Sequence, residues 1–183
     1  MWRIWPGWKC LAKILMNNII LCGFMGSGKT SIGKLLAKKL SMKFVDMDSY
    51  IEEKQGMKIP EIFAKFSEEY FRDAEHAAAK ELSQKSGYII STGGGALTFE
   101  RNIAPFKQTG KIVFLNPGFY ECYKRIANTD RPLVKANKRE ELKALYKKRE
   151  QLYRKACDAE VCVTGRHKAW VEAVIDKLEV NSI

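Results

Sequence analysis

Histidine is nearly missing from this chain: His76 and His167 are the only two in 183 residues, and they stand far apart. Neither reads as a ligand, so a metal centre built on imidazole has too little material. The five cysteines (Cys10, Cys22, Cys122, Cys157, Cys162) are odd in number and form no C-x-x-C pair. That argues against a disulfide framework or a zinc ribbon and leaves reduced core thiols, with Cys22 and Cys162 inside apolar runs. No apolar run approaches the ~18 residues that a transmembrane helix needs. No repeat, low-complexity tract or long linker divides the chain, and its length fits one domain with a substantial core.

Composition is otherwise that of an ordinary soluble protein, 46% apolar and 29% charged. Met1–Lys13 carries three of the four tryptophans and three cations, which suits a membrane interface or imitates a targeting segment. It lacks the long apolar stretch and small-residue cleavage site of a signal peptide. Residues 1–15 are expected to form an extension outside the fold, with Met16 a natural start and residues 16–183 the domain. A chain without residues 1–15 is expected to keep its activity.

The net charge of +11 is local. Residues 124–155 hold twelve Lys and Arg against four Asp and Glu, and residues 1–16 add three cations. One concentrated segment means a local task, either a nucleic-acid face or a lid that closes on a polyphosphate.

Gly23-Phe24-Met25-Gly26-Ser27-Gly28-Lys29-Thr30 fills every fixed position of G-x-x-x-x-G-K-[ST]. The apolar run Ile19–Cys22 precedes it. Ser31–Leu40 follows, with Ile32, Leu35, Leu36 and Leu40 at helical spacing. A strand, a glycine-rich turn and a helix N-terminus in that order make a phosphate cradle, since inward backbone N–H groups and the helix dipole both favour anions. Lys29 is suited to the β- and γ-phosphates, and the Thr30 hydroxyl to Mg²⁺.

Lys43–Asp48 reads as a short strand whose alternation turns Asp46 and Asp48 to the same side. Ligands of parallel α/β folds collect beyond the carboxyl ends of the strands. Two acids there suit one metal-holding group and one proton acceptor, or else a solvated pair that starts a turn with Asp48 or Ser49 as N-cap. Ser49–Ser86 is helical, striped by Ile59, Ile62, Phe63 and Phe66 and then by Tyr70, Phe71, Ala74, Ala77, Ala78 and Leu82. Arg72, three residues before Glu75, is either a surface pair or a fork for a carboxylate substrate. Tyr88–Ser91 is a strand that runs into Thr92-Gly93-Gly94-Gly95, and consecutive glycines there suit close approach of backbone to a ligand. A bare flexible turn is the bland alternative.

Lys111–Leu115 is a fourth strand, and a helix over Phe119–Ala127 leads to a basic loop, roughly 128–138, that reads as mobile. Lys138–Ala156 is a long helix with Leu142, Leu145, Tyr146, Leu152, Tyr153 and Ala156 on one face. Arg149 falls within that face, an odd place for a solvated charge. Asn137-Lys138-Arg139-Glu140 nearly matches the base-reading N-K-x-D of GTPases, but no strand precedes it and no D-x-x-G exists anywhere. Glu160–Val163 is a fifth strand, Thr164–His167 a turn and Ala169–Leu178 the final helix. Strands alternating with helices describe one α/β domain on a parallel sheet.

The P-loop, Asp46-Met47-Asp48, Phe71-Arg72, Thr92–Gly95, Arg131-Pro132-Leu133 and Leu152-Tyr153-Arg154, in this order, make the chain resemble the shikimate kinase family over about residues 17–178. The resemblance implies a nucleoside-monophosphate-kinase-like fold: a single α/β domain on a five-stranded parallel sheet in the order 2-3-1-4-5, flanked by helices, with a mobile lid. It implies ATP-dependent phosphorylation of the 3-hydroxyl of shikimate. It also assigns nucleotide to Gly26, Ser27, Gly28, Lys29, Thr30 and Ser31, and Mg²⁺ to Thr30 and Asp46. By the same resemblance Asp48 is the base and holds the shikimate hydroxyls, Arg72 and Arg154 bind its carboxylate, and Gly94 and Gly95 contact its ring. Phe63 and Phe71 wall the pocket, and Arg131 neutralises the transferring phosphoryl group.

Two positions depart from the family pattern. Lys124 stands where an adenine-stacking arginine is usual, with Arg125 beside it. The loop after the last strand lacks a common proline, and an adenine contact there would fall to Arg166. The expected partners are small molecules, without nucleic acid or membrane, for a cytoplasmic monomer. A gluconate kinase of the same fold is the competing enzyme, and a non-catalytic P-loop module that uses residues 124–155 on nucleic acid is the competing class.

Overall fold

The computed structural model describes residues 17–129, 132–162 and 167–180. Five strands form one sheet, β1 (Asn18–Cys22), β2 (Lys43–Asp46), β3 (Tyr88–Ser91), β4 (Gly110–Leu115) and β5 (Ala159–Val161). Their order is β2-β3-β1-β4-β5, and every pairing is parallel, as expected from the sequence. Central β1 is buried along its whole length, which is why Ile19–Cys22 is a continuous apolar run rather than an alternation.

Each face of the sheet has its own core. Ile19 and Leu21 turn to one side, where they meet α1 (Lys29–Leu40) through Ile32 and Leu36 and α9 (His167–Val180) through Trp170 and Val174. Ile20 and Cys22 turn to the other, toward the remaining helices. These are α2 (Met47–Gln55), α3 (Ile59–Lys65), α4 (Glu68–Ser83), α5 (Glu100–Thr109), α6 (Phe119–Ile126), α7 (Pro132–Ala136) and α8 (Arg139–Ala156), with a 3₁₀ turn at Ala96–Thr98.

Several boundaries differ from the sequence reading. β2 stops at Asp46, and Asp48 lies in the first turn of α2 instead of on a strand. The Asp46 carboxylate accepts the N–H groups of Asp48 and Ser49, so N-capping overrides strand alternation. The helical region 49–86 is three helices. Glu61 caps the start of α3 through the Lys58 N–H, and the Ser67 hydroxyl caps α4 through the Tyr70 N–H. The basic segment 128–138 contains α7, while residues 130–131 lie outside the described residues. Cys22 and Cys122 are core thiols as expected, but Cys162 is exposed just past the end of β5. His76 has a side-chain partner, with Nδ1 3.0 Å from Asn102 Oδ1. Residues 1–16, which include the expected extension, are outside the described residues.

Candidate active site

The carboxyl ends of β1, β2 and β3 lie in register, with Asp46 opposite Ser91 and Ser91 opposite Leu21. Over them sits a cleft of about 290 Å³ walled by the P-loop, Asp46, Asp48, Ser91, Gly94 and Arg125. Gly26 and Gly28 have φ of 79° and 96°, left-handed values that let the loop fold over the start of α1. Lys29 is buried, and its ammonium donates to the Gly23 carbonyl at 2.8 Å and the Phe24 carbonyl at 3.1 Å. Burial pushes its pKa down, and the charge of Asp48 opposes that shift.

Asp46 is held from two sides. Oδ2 accepts from the Thr30 hydroxyl at 2.8 Å and the Ser91 hydroxyl at 3.1 Å, while Oδ1 accepts the two N–H groups that begin α2. Asp46 thereby caps the helix that carries Asp48 in its first turn.

The triple-glycine turn is the hub. Its start is tied down by Thr92, whose N–H and hydroxyl both donate to the Leu21 carbonyl at 3.0 Å. A Cβ on Gly93 would run into the Asp48 carboxylate. One on Gly94 would stand 3.4 Å from the Met25 nitrogen of the P-loop and 3.8 Å from Arg149 Nη1, and one on Gly95 3.1 Å from Arg72 Nη1. Three adjacent glycines thus each face a different functional group; a side chain at Gly93 would displace Asp48 and one at Gly95 would crowd Arg72, while the space at Gly94 is only snug.

Arg72 makes the i,i+3 pair that its spacing allows and also faces the glycine turn. Nη2 pairs with Glu68 at 3.0 Å and Nη1 with the buried Glu75 at 3.1 Å, while the same guanidinium lies against Gly95 and over the rings of Phe71 and Phe99. Phe71 is buried, and Phe63 packs on it at 4.8 Å with a partly open face. Burial raises the Glu75 pKa, against the pull of Arg72. Asn102 closes the network, with its amide donating to Glu75 at 3.5 Å and to the Ala96 carbonyl at 2.9 Å.

A family model described as Shikimate kinase matches residues 25–179. The chain belongs to the shikimate kinase family. It is 44% identical over 142 residues to the shikimate kinase of Sulfurihydrogenibium sp., covering 77% of this chain and 85% of that one. To the shikimate kinase of Thermodesulfovibrio yellowstonii it is 46% identical over 143 residues, covering 77% and 83%. The solved structure of shikimate kinase from Acinetobacter baumannii in complex with shikimate superposes with a TM-score of 0.86 at 34% identity, covering 94% of this chain and 98% of that one. Membership makes the chain an enzyme, a kinase that uses ATP to phosphorylate shikimate.

Two basic residues singled out from sequence, Arg154 and Lys124, stand away from the glycine turn and the cleft. Arg154 does not reach the triple-glycine turn. It pairs with Glu150 at 3.0 Å and donates twice to Glu160 of β5, with its side chain half exposed. Arg149 reaches the turn instead and donates to the Gly94 carbonyl at 3.1 Å. Five residues along an α-helix turn a side chain by about 140°, so the two arginines leave α8 in different directions. Lys124 is likewise exposed and does not line the cleft, whereas Arg125 does, bonded to the Gly26 carbonyl at 2.9 Å. Arg125 lies on the face of α6 that packs on Gly26 through Cys122 and Ile126, and Lys124 is a hundred degrees further round. Ser31 lines the cleft with the P-loop, while Arg131 and Arg166 lie outside the described residues.

Proposed function

We propose that this cleft transfers the γ-phosphoryl group of ATP to the 3-hydroxyl of shikimate, with Asp48 as the proton acceptor and Arg72 and Arg149 holding the acid's carboxylate. The observation that carries the reading is the triple-glycine turn, which brings Asp48, the P-loop with Arg149, and Arg72 against three successive residues. A small ring with hydroxyls at one end and a carboxylate at the other can touch all of them across the turn. Phosphoryl transfer asks the protein for in-line positioning and charge neutralisation more than for covalent help. Lys29 and the P-loop N–H groups cradle the phosphates. Asp48 accepts the proton of the attacking hydroxyl, and Phe63 and Phe71 wall the ring. Arg125, already on the P-loop rim, takes the nucleotide contact expected of Lys124.

Mg²⁺ fits beside the P-loop. Thr30 Oγ1 and Asp46 Oδ2 are hard oxygen donors 2.8 Å apart, and Mg²⁺ is commonly held by one or two such groups together with substrate phosphates. Bound there, the ion would offset charge on the phosphate oxygens. Arg131 keeps the role that the family resemblance implies, neutralising the transferring group from the lid segment, and Arg166 keeps its adenine contact. Among the described residues no helix is long and apolar enough to cross a membrane. We assign the enzyme to the cytoplasm as a monomer acting on small molecules, with no nucleic-acid partner.

The test is ADP release measured with shikimate and with gluconate. Turnover should appear with shikimate only; turnover confined to gluconate overturns the substrate, and salt-sensitive nucleic-acid binding without turnover overturns the class.

A further inference from the structure

In Leu152-Tyr153-Arg154 the residue that reaches the cleft is the tyrosine. The Tyr153 hydroxyl donates to the Gly94 carbonyl oxygen, the same atom that accepts Arg149. Its ring is 1% exposed and packs 5.2 Å from that of Phe114, so the phenol has one defined approach to the turn.

The other carbonyls of the triple glycine are satisfied within the turn. Gly93 accepts the Ala96 N–H at 3.2 Å, and Gly95 accepts the N–H and hydroxyl of Thr98 at 3.1 and 2.6 Å. The Gly94 carbonyl alone of these is held from outside, by two side chains of α8. A trans peptide directs its N–H opposite to its C=O, so tethering the Gly94 oxygen toward α8 also sets the Gly95 N–H, away from α8. Glycines cannot set that direction themselves, because nothing on their side chains resists rotation of the peptide.

We propose that Tyr153 is a positioning residue for acceptor binding: its hydroxyl locks the Gly94–Gly95 peptide so that its N–H faces the ring acid, and it braces Arg149 for the carboxylate. This rests on the reading of the cleft as the shikimate site. A phenylalanine would fill the same space, so the hydroxyl has a task beyond packing. Burial raises the phenol pKa, which keeps the group a donor throughout the neutral range.

Tyr153→Phe removes the hydroxyl and keeps the ring. The KM for shikimate should rise about tenfold, the size expected of one buried hydrogen bond, with kcat and the KM for ATP within about twofold and the melting temperature nearly unchanged. Incorporation of 3-fluorotyrosine at position 153 keeps the donor and should restore the shikimate KM. An unchanged shikimate KM in Tyr153→Phe, or both KM values rising with a fall in melting temperature, would overturn the assignment and leave a structural role. Those results leave the proposed reaction standing. A wild-type enzyme without shikimate turnover would remove both.

Discussion

Arg149 and Gly94 lie 55 residues apart in sequence, yet the guanidinium Nη1 stands 3.1 Å from the glycine carbonyl oxygen. The bond ties the basic helix α8 to the triple-glycine turn and sets which of its many cations faces that turn. The charge excess of residues 124–155 therefore divides. Arg125 lines the cleft, Arg149 bonds to the glycine turn, and Arg154 pairs with Glu160 of β5.

The two arginines of α8 should behave differently. Arg149→Ala should raise the KM for shikimate by about a hundredfold or more, because truncating one partner of a desolvated charge pair costs ~2–5 kcal/mol, with the KM for ATP little changed. Arg154→Ala should alter it by about twofold at most, since exposed ion pairs contribute ~0–1 kcal/mol. Steady-state kinetics of both variants checks this, and the reverse ranking would restore Arg154 to the carboxylate.

Asp48→Asn keeps the size of the side chain and removes the proton acceptor. A positioned general base contributes typically ~10²–10⁴-fold, so kcat should fall by that range while ADP binding, measured by calorimetry, is retained. Near-normal turnover would remove Asp48 from the base role.

Arg125 and Lys124 offer a paired test on the nucleotide side. Arg125→Ala should raise the KM for ATP about tenfold, the loss expected of a charge-assisted contact. Lys124→Ala, exposed on α6, should leave it within about twofold. Equal effects would return the nucleotide contact to the usual family position.

Glu75 makes stability depend on pH. Burial raises its folded pKa above the ordinary carboxylate value, so the fold favours the protonated form, and that contribution is lost as pH rises through the folded value. Glu75→Gln has no such titration. Its melting temperature relative to the parent should therefore climb as pH goes from about 4.5 to 7.5, the span that starts at the unperturbed glutamate value. A difference that stays flat over this span, or falls, contradicts the raised value. The KM for shikimate should rise in the same variant, because Arg72 loses a charged partner.

The pattern of what could be read in advance follows the range of the interactions. The P-loop is eight adjacent residues whose order is its mechanism, and it was legible whole. The sheet order followed from a family resemblance in motifs at strand ends. Asp48 was legible as a residue at the end of β2 but not as a member of α2: strand alternation puts it on a strand, while the cap made by Asp46 starts a helix there. Arg149 left a trace, a charge on an apolar helix face, but the tripeptide around Tyr153 drew the assignment to Arg154. Asn102 and His76 left no usable trace, because the network they form with Glu75 joins residues 26 and 27 positions apart.

The sequence by itself determined the phosphate cradle, the alternation of strands and helices, and the set of acids, glycines and arginines available for catalysis. These rest on neighbours along the chain, through backbone freedom, helix dipole and apolar periodicity. Only the tertiary structure decided which arginine of α8 and which cation of α6 turn inward, and that the Tyr153 hydroxyl meets Gly94. A helix turns each residue by about a hundred degrees, so which side chain faces a distant ligand is fixed only when the helix docks on the sheet.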